Sequence, residues 1–491
     1  FVFRRKKEHL EYFGESEENS MGFRINAKEI TTKYTQTLAD FTANLKYEDI
    51  PPEVLERAKH MAMQTIGVSL GANGLPMAEK AIDIGKSCGT GEPEATLWID
   101  GSKVSMTSAV FCNSTLADML DWEDCSWTGH PSAGVIPVSW AVAEALHKSG
   151  KEFLTAVVAA YEVYQRIAMV VQPPADWDFM KGWGLASWQV FAGVTPAAKL
   201  MDLTPDQINQ AFGFGVLCCP IPSQLHHITM SDAYHYEHGF RAKDGILAAL
   251  CAKAGVDNYM DCFDDTYSFD YHMTPTPRPE WYTKDLGKRW LTMEVLLKHW
   301  PANMWLQTPI ELAHVISTKY NIKPEEIADI ELDPPTVGRM YFSPEGFNSL
   351  TQAQFSAPFM LAAYLLEPTP GPGWFDRAKL KDPRILELAA KVHGGPSAPH
   401  YLNQCSKGFQ NGEFPTKKLT ITTKDGKVYS ESMDCHPGHP RNMLTHEEFV
   451  ERFKVQAAPT LKGERMEQVV HALADLENCD DVASIGALLH K

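Results

Sequence analysis

Acidic side chains and one histidine are concentrated between residues 113 and 137, in a pattern that suits proton transfer. In chain order they are Asp118, Asp121, Glu123, Asp124 and His130. A carboxylate beside an imidazole orients the ring and raises its pKa, which suits general acid/base catalysis. We therefore expect His130 to move a proton and to be oriented by Asp121 or Asp124. The alternative is a solvated acidic loop in which an aspartate or a serine only caps a helix.

Ser132 begins a predicted apolar helix directly after the turn Gly129-His130-Pro131. Backbone N–H groups at a helix start have no partner within the helix, and the helix dipole favours negative charge there. The start of this helix is therefore predicted to bind an anion.

A second group of basic side chains lies between residues 225 and 245. It consists of His226, His227, His235, His238, Arg241 and Lys243. The spacing of His235 and His238 is compatible with zinc ligands, but no HExxH motif or cysteine set accompanies it. We expect a helix start whose histidines and Arg241 face a cleft or a partner subunit, and we expect no metal there.

Lys298 and His299 form a third group, just before Pro301, where a helix is predicted to begin. An ammonium group near a helix N-terminus suits a ligand with a carboxylate. The alternative is an ordinary surface lysine beside a core Trp300. The segment Cys435–Pro440 also holds a cysteine and two histidines, but its prolines and glycine favour a connecting loop over a metal site.

The composition is that of a globular protein and restricts the classes of partner. Of 491 residues, 44% are hydrophobic, and the net charge is −17. Such an acidic chain is a poor partner for DNA or acidic membranes, and no apolar run approaches the roughly 18 residues of a membrane span. The ten cysteines are scattered without a CxxC motif, which suits reduced thiols in a cytoplasmic enzyme. No Rossmann, P-loop, GxSxG or HExxH motif indicates a cofactor.

The periodicity of apolar residues changes twice along the chain. Residues 30–260 show helical spacing with few convincing β alternations. Within them, Thr204 is predicted to cap a helix that begins at Pro205, and the apolar spacing predicts a further helix over Arg241–Ala254. Beyond them, a predicted strand at Ile327–Leu332 and a predicted hairpin at Lys418–Tyr429 are mixed with helices, which indicates an α+β region. From Thr445 the pattern is helical again.

Several segments, in this order, resemble the MmgE/PrpD family, which includes 2-methylcitrate dehydratases, cis-aconitate decarboxylases and iminodisuccinate epimerases. The most specific segment is LADMLDWEDCSWTGHPSAGVIP, and the others are RAKDGILAALCAKAG, LLKHWPA, LTQAQFSAPFMLA and PRNMLTHEEFVERF. The resemblance extends from about Thr31 to Leu489. It implies a mainly α fold, with a large all-helical domain and an inserted smaller α+β lid domain.

Four segments are expected on this basis. They are an N-terminal extension at 1–30, the first part of the helical domain at 31–295, the α+β lid at 296–438, and the C-terminal return of the helical domain at 439–491. Within the extension, Met21 could be the natural initiator.

The resemblance also implies chemistry. Family members act on di- and tricarboxylates without an organic cofactor, many need no metal, and they are typically homodimers with the active site between helical domain and lid. Asp121 matches the family's active-site aspartate, and His130 matches its Gly-His-Pro histidine, which is a catalytic acid/base or a substrate-binding group. Lys298 matches a lysine that faces substrate carboxylates, and Cys125 falls where decarboxylases have threonine.

Two positions depart from the decarboxylase pattern. Gly182-Trp183-Gly184 stands where those enzymes have a Gly-aromatic-His motif, and Tyr234 stands where they have a lysine. His235, His238 or Arg241 could substitute for the lost groups. We therefore expect a cofactor-independent lyase most like 2-methylcitrate dehydratase. A decarboxylase-like enzyme, an epimerase, and a catalytically degenerate binding or structural member are the alternatives.

The expected site combines both lines of argument. The catalytic residues are expected to be His130, Asp121 and Tyr234. The substrate-binding residues are expected to be Lys298, Asp124, Cys125, Ser132, His235 and Arg241. The expected partners are a small polycarboxylate and a second copy of the chain, with no metal, no cofactor, no nucleic acid and no membrane.

Overall fold

The structure of this chain is a computed structural model. It describes residues 31–88, 91–126, 129–172, 188–220, 229–258, 260–264, 268–400 and 415–491. The expected N-terminal extension, the Gly182-Trp183-Gly184 segment, His226 and His227 lie outside these ranges.

Helices dominate the first half of the chain, and the fold as a whole is mainly α, as the sequence predicts. The helices are α1 (Tyr34–Asn44), α2 (Pro52–Gly71), α3 (Pro76–Cys88), α4 (Met106–Asp118), α5 (Pro131–Ala145), α6 (Gly150–Val170), α7 (Phe191–Leu200), α8 (Pro205–Leu217) and α9 (Ala233–Lys253), with a short α10 (Phe269–Met273) after them. Their buried apolar faces share one core. The predicted start of α8 is confirmed, because the Thr204 hydroxyl accepts a hydrogen bond from the Gln207 backbone.

Helix α9 begins earlier than predicted. The apolar spacing predicts a helix from Arg241, whereas the helix begins at Ala233. Its first two turns are rich in histidine and tyrosine, so they lack the apolar spacing on which the prediction rests. These two turns carry Tyr234, His235 and His238 to the middle of the molecule, where all three side chains are buried.

Helix α6 is long and apolar enough to cross a membrane, by length and composition alone. However, 94% of its apolar window is buried by other parts of the chain. Packing in the protein core therefore accounts for its hydropathy, and two of its buried residues, Glu162 and Arg166, pair with each other at 2.6 Å.

A four-stranded sheet lies in the later part of the chain, in the order β6-β5-β7-β8. Its strands are β5 (Ile327–Asp333), β6 (Val392–Gly394), β7 (Lys417–Thr423) and β8 (Val428–Met433). Only the β5–β6 pair is parallel. The helices of this region are α11 (Gln307–Tyr320), α12 (Leu350–Gln354), α13 (Ala357–Leu366) and α14 (Pro383–Ala389). The predicted mixture of helices and strands is therefore present here.

Two-residue strands make further links. Strand β1 (Ala95–Thr96) pairs with β2 (Lys103–Val104), and β3 (Asp124–Cys125) pairs with β4 (Leu296–Leu297), both antiparallel. The second pair joins the acidic segment to the segment that carries Lys298.

The prediction that a helix begins at Pro301 is wrong, because α11 begins at Gln307. The Gln307 side chain explains the delay. Its amide accepts from the backbone N–H groups of His299 and Trp300 and donates to the carbonyl groups of Trp300 and Ala302. These bonds satisfy the backbone groups of an irregular turn. Lys298 therefore lies at the end of a strand and does not lie just before a helix start.

The C-terminal segment returns to the first half of the chain. It forms α15 (His446–Ala457), α16 (Gly463–Ala474) and α17 (Ala483–Gly486), and α15 packs against α2. A side chain at Gly71 would bring its Cβ within 2.6 Å of the Gln456 backbone oxygen. Glycine therefore permits the close approach of the two helices.

Candidate active site

The β3–β4 pair brings two distant segments together at the site. The backbone N–H of Lys298 donates to the Glu123 carbonyl at 3.0 Å. Its own carbonyl accepts from the side chain of Gln64 on α2 at 3.2 Å. Because the backbone is held on both sides, the Lys298 side chain points at the acidic segment between α4 and α5.

The Lys298 ammonium group is fully buried among acidic and imidazole groups. It contacts Asp121 Oδ1, lies 2.7 Å from Glu123 Oε1, and lies 3.2 Å from His130 Nδ1. Burial opposes the positive charge, but the carboxylates of Asp121 and Glu123 outweigh it and raise the pKa of Lys298. The lysine is therefore a permanent cation in the site.

His130 joins Lys298 to Tyr234. Its Nδ1 contacts Glu123 Oε1 and lies 3.4 Å from Asp118 Oδ1, while its Nε2 lies 2.9 Å from the Tyr234 hydroxyl. The expectation that Asp121 or Asp124 orients His130 is thus wrong, and Glu123 takes that place. Burial and then the Lys298 charge hold the pKa of His130 well below its usual range, so the imidazole is neutral.

The Glu123 oxygen at Nδ1 of His130 favours a proton on that nitrogen, although the Lys298 ammonium, which can only donate, also lies 3.2 Å from it. With the proton on Nδ1, Nε2 accepts a hydrogen bond from the Tyr234 hydroxyl. Burial raises the pKa of Tyr234 well above its usual value, so the phenol keeps its proton. The chain of contacts Glu123–His130–Tyr234 thus places a proton acceptor and a proton donor side by side.

A second imidazole–carboxylate pair lies behind the first. Nδ1 of His235 lies 2.7 Å from Asp118 Oδ2, its Nε2 lies 3.2 Å from the Thr351 hydroxyl, and His238 Nε2 lies 3.3 Å from Asp118 Oδ1. Burial lowers the pKa of His235 to about 4. Burial, and then the charge of Glu123, raises the pKa of Asp118 well above its ordinary value. Burial thus disfavours the charged forms of both His235 and Asp118.

Asp124 and Ser132 lie next to the cluster but contact each other. The Ser132 backbone N–H donates to Asp124 Oδ1 at 3.0 Å, and the Tyr161 hydroxyl donates to Asp124 Oδ2 at 2.6 Å. The anion predicted to bind at the start of α5 is thus the Asp124 carboxylate of the chain itself. We expected Ser132 to bind substrate, but its backbone N–H already donates to Asp124.

Cys125 and Arg241 have different surroundings. Cys125 is buried with its sulfur 3.2 Å from the sulfur of Met304, and burial raises its pKa well above the usual value. Arg241 donates to the Cys218 carbonyl at 2.7 Å and lies 3.2 Å from Asp244. It is two helical turns, about 10 Å, from Tyr234 along α9. The structure therefore does not bring the Arg241 guanidinium to the His130 cluster, contrary to the expectation.

Arg339 is a buried cation near the cluster that the sequence analysis misses. It donates to the Asn303 side chain at 2.8 Å and to the Gly338 carbonyl at 2.9 Å, both neutral acceptors. Its guanidinium lies 4.8 Å from the centre of the Phe355 ring, which packs edge-on against Tyr234. No motif surrounds Gly338-Arg339, so only the fold places this charge near the site.

Four acidic and imidazole groups of this cluster could hold a metal by proximity alone. The ligand atoms of Asp118, Asp121, Glu123 and His130 all lie within 4.8 Å of one another. The Lys298 ammonium contacts three of these residues. It supplies the positive charge that a divalent ion would bring, so the residues fit a lysine-centred cluster better than a metal centre.

Comparison with known proteins agrees with this architecture. The profile of the MmgE/PrpD N-terminal domain matches residues 36–282, and that of the MmgE/PrpD C-terminal domain matches residues 300–476. The cis-aconitate decarboxylase-like protein oryM of Aspergillus oryzae is 24% identical, over 93% of this chain and 97% of its own length. The human cis-aconitate decarboxylase is also 24% identical, over 93% and 94%. Because the two domain profiles together span most of its length, this chain belongs to the MmgE/PrpD family.

Proposed function

We propose that this chain is a cofactor-independent lyase that acts on a di- or tricarboxylate by proton transfer. The contact chain Glu123–His130–Tyr234 beside Lys298 carries the proposal. A neutral imidazole can accept a proton, a phenol can donate one, and the ammonium group can stabilise negative charge that develops on the substrate. All four side chains are buried, and in a water-poor site such charge interactions are strong.

Dehydration of a hydroxy acid, as in 2-methylcitrate dehydratase, is the reaction we place first. It removes a proton from a carbon next to a carboxyl group and returns a proton to the leaving hydroxyl group, which departs as water. His130 is suited to accept the first proton, and Tyr234 to donate the second. The 2.9 Å bond between them keeps acceptor and donor at one point, where a substrate hydroxyl group could insert.

Arg339 is the residue we propose for holding a substrate carboxylate. Lys298 already contacts Asp121 and Glu123, so much of its charge is neutralised within the chain. Within the part of the chain that the structure describes, the hydrogen-bond partners of Arg339 are neutral oxygens, which leaves its charge for an anionic ligand. Lys298 would then act mainly on the developing charge of the reacting centre.

We also propose that the region 296–438 closes over the helical half as a lid. Lys298 and Arg339 belong to this region, whereas His130 and Tyr234 belong to the helical half, so the site is shared between the two. A homodimer and a cytoplasmic location are parts of the same proposal. The nine described cysteines are all free thiols, which supports a reducing compartment.

Decarboxylation of an unsaturated polycarboxylate is the second candidate. It is favoured by the names of the relatives, which include cis-aconitate decarboxylases of Aspergillus terreus, 22% identical over 93% of this chain. Gly184 and Tyr234 argue against the same pocket, because the decarboxylase pattern has histidine and lysine at these two positions. We therefore place it second.

An NMR assay in heavy water tests the proposal directly. The purified protein is incubated with 2-methylcitrate, citrate, cis-aconitate and an iminodisuccinate analogue. Dehydration yields an alkene, decarboxylation releases CO2, and epimerisation introduces deuterium into recovered substrate. We expect one substrate to be consumed, with an alkene as product.

Two variants complete this test. His130→Gln should slow turnover by about 10²–10⁴-fold, whereas His147→Gln should not, since His147 is an exposed residue paired with Asp481. Stabilisation by a ligand that is never consumed would overturn the lyase proposal and favour a binding protein. Full turnover by His130→Gln would overturn the role of His130.

A further inference from the structure

A second cluster of metal-ligating side chains lies where α15 meets α2, apart from the lyase site. Glu56 and His60 are one turn apart on α2, and His446 is the first residue of α15. His60 Nε2 lies 3.1 Å from Glu56 Oε1, His446 Nδ1 lies 3.3 Å from the same oxygen, and the two ring nitrogens lie 3.3 Å apart. One oxygen and two nitrogens therefore form a nearly regular triangle.

The dimensions of this triangle match one face of a zinc coordination tetrahedron. Bonds of about 2.0–2.1 Å from zinc to nitrogen or oxygen place the ligand atoms of a tetrahedral site about 3.3 Å apart. We propose that Glu56, His60 and His446 bind a Zn²⁺ ion, with a water molecule in the fourth position. Glu56 and His446 are about 40% and 39% exposed at the side chain, so solvent can reach that fourth position.

Neighbouring groups hold the three ligands in place. The second Glu56 oxygen, Oε2, lies 2.8 Å from Lys59 Nζ, which fixes the carboxylate and leaves Oε1 for the metal. The Lys59 charge is also shared with Glu477 at 3.1 Å, so it opposes a cation less. The His60 ring stacks on Phe449 with centroids 4.1 Å apart. Oriented ligands of this kind are typical of metal sites.

A metal needs both imidazoles neutral and the Glu56 carboxylate ionised, so an ion would take the place of the hydrogen bonds within the triangle. The competing explanation of the triangle is that hydrogen bonds alone hold these three side chains together. In that case the protein would not bind a metal ion there.

A bound ion would join the C-terminal return to the first half of the chain. Glu56 and His60 belong to α2, and His446 lies about 390 positions later at the start of α15. This role is structural and goes beyond the proposed lyase activity. It also differs from the His130 cluster, where the Lys298 ammonium lies among the acidic groups.

Metal binding to the full chain tests the proposal. Protein stripped with EDTA and then freed of chelator is titrated with CoCl2, and the visible absorption is recorded. We expect one equivalent to give the intense bands of tetrahedral Co²⁺, and one equivalent of ZnCl2 to abolish them. Zn²⁺ should also raise the melting temperature of the stripped protein.

Matched variants locate the site. His446→Ala and Glu56→Gln, both at partly exposed positions, should weaken Co²⁺ binding at least about 100-fold. His393→Ala removes an exposed imidazole that pairs with Asp329, and this variant should bind Co²⁺ like the wild type. Absence of the tetrahedral bands in the wild type overturns the proposal. Co²⁺ binding as tight as that of the wild type in both His446→Ala and Glu56→Gln also overturns it, because the ion would then lie elsewhere.

Discussion

The side chains of Lys298 and His130 are 168 positions apart in sequence, yet Nζ of Lys298 lies 3.2 Å from Nδ1 of His130. The β3–β4 pair creates this contact by joining the acidic segment to the segment after residue 295. An ammonium group so close to an imidazole disfavours its protonation. The same lysine therefore binds the carboxylates of the cluster and keeps His130 neutral for proton transfer.

Replacing Lys298 tests how far this cation stabilises the fold. Lys298→Met leaves the buried carboxylates of Asp121 and Glu123 without their shared cation. Because an uncompensated buried charge is costly, we expect the free energy of unfolding to fall by about 3–5 kcal/mol. Denaturant unfolding of the two proteins measures the change.

The control for this prediction is Lys319→Met, which breaks an exposed pair with Glu431 and should cost about 0–1 kcal/mol. Adding Glu123→Gln to Lys298→Met should restore part of the lost stability, because one unpaired carboxylate is removed. Equal stability of Lys298→Met and wild type would contradict the role of Lys298 as the cation of the cluster.

Much of the helical architecture follows from the spacing of apolar residues. The start of α8 at Pro205 and the start of α15 after Thr445 agree with the sequence, because the hydroxyl groups of Thr204 and Thr445 cap them as predicted. Capping depends on three or four neighbouring residues, so a single sequence carries the signal. That His130 and Lys298 share one site is instead implied by the family resemblance, which places the active site between helical domain and lid.

The choice among neighbouring carboxylates could not be predicted from the sequence. Asp121, Glu123 and Asp124 lie within four positions, and the turn decides which one meets His130. Asp121 adopts a left-handed backbone conformation with φ near 49°, which is uncommon for residues other than glycine and bends the chain just before Glu123. Arg339 was missed for a related reason. Its position depends on long-range packing against Phe355, which leaves no local pattern.

Removing one hydroxyl group from Tyr234 tests its role as proton donor. Tyr234→Phe keeps the ring that packs against Phe355 but loses the bond to His130 Nε2. We expect kcat to fall by about 10²-fold or more while KM changes little, because the hydroxyl group acts in proton transfer. Steady-state kinetics on the substrate found by NMR measures both constants.

Tyr236→Phe is the matched control on the same helix. Tyr236 donates to the Met77 carbonyl at 3.0 Å, away from His130, so this variant should keep the wild-type kcat. A Tyr234→Phe variant as active as Tyr236→Phe would show that another group donates the proton.

Replacing Arg339 tests whether it holds a substrate carboxylate. Arg339→Gln removes the charge near Tyr234 and keeps an amide that can bond to Asn303. We expect KM to rise by about tenfold or more with a smaller effect on kcat, because a charged hydrogen bond contributes about 1.5–3 kcal/mol to binding. Arg384→Gln is the control, since Arg384 is exposed and pairs with Asp382. An unchanged KM for Arg339→Gln would place the carboxylate elsewhere.

Asp124 links stability to pH through its buried position at the start of α5. Burial raises its pKa from 3.8 to about 6, although Tyr161 and Ser132 both donate hydrogen bonds to it. The folded state thus binds this proton more tightly than the unfolded state. The resulting stabilisation is complete below pH 3.8 and is lost as the pH rises through about 6.

Asp124→Asn cannot titrate, so between about pH 4 and 7 the wild type should lose up to about 3 kcal/mol of stability relative to this variant. Urea unfolding at intervals across that range measures the difference, with Asp83→Asn, exposed on α3, as the control. A difference between wild type and Asp124→Asn that stays constant or grows in favour of the wild type with rising pH would contradict the raised pKa.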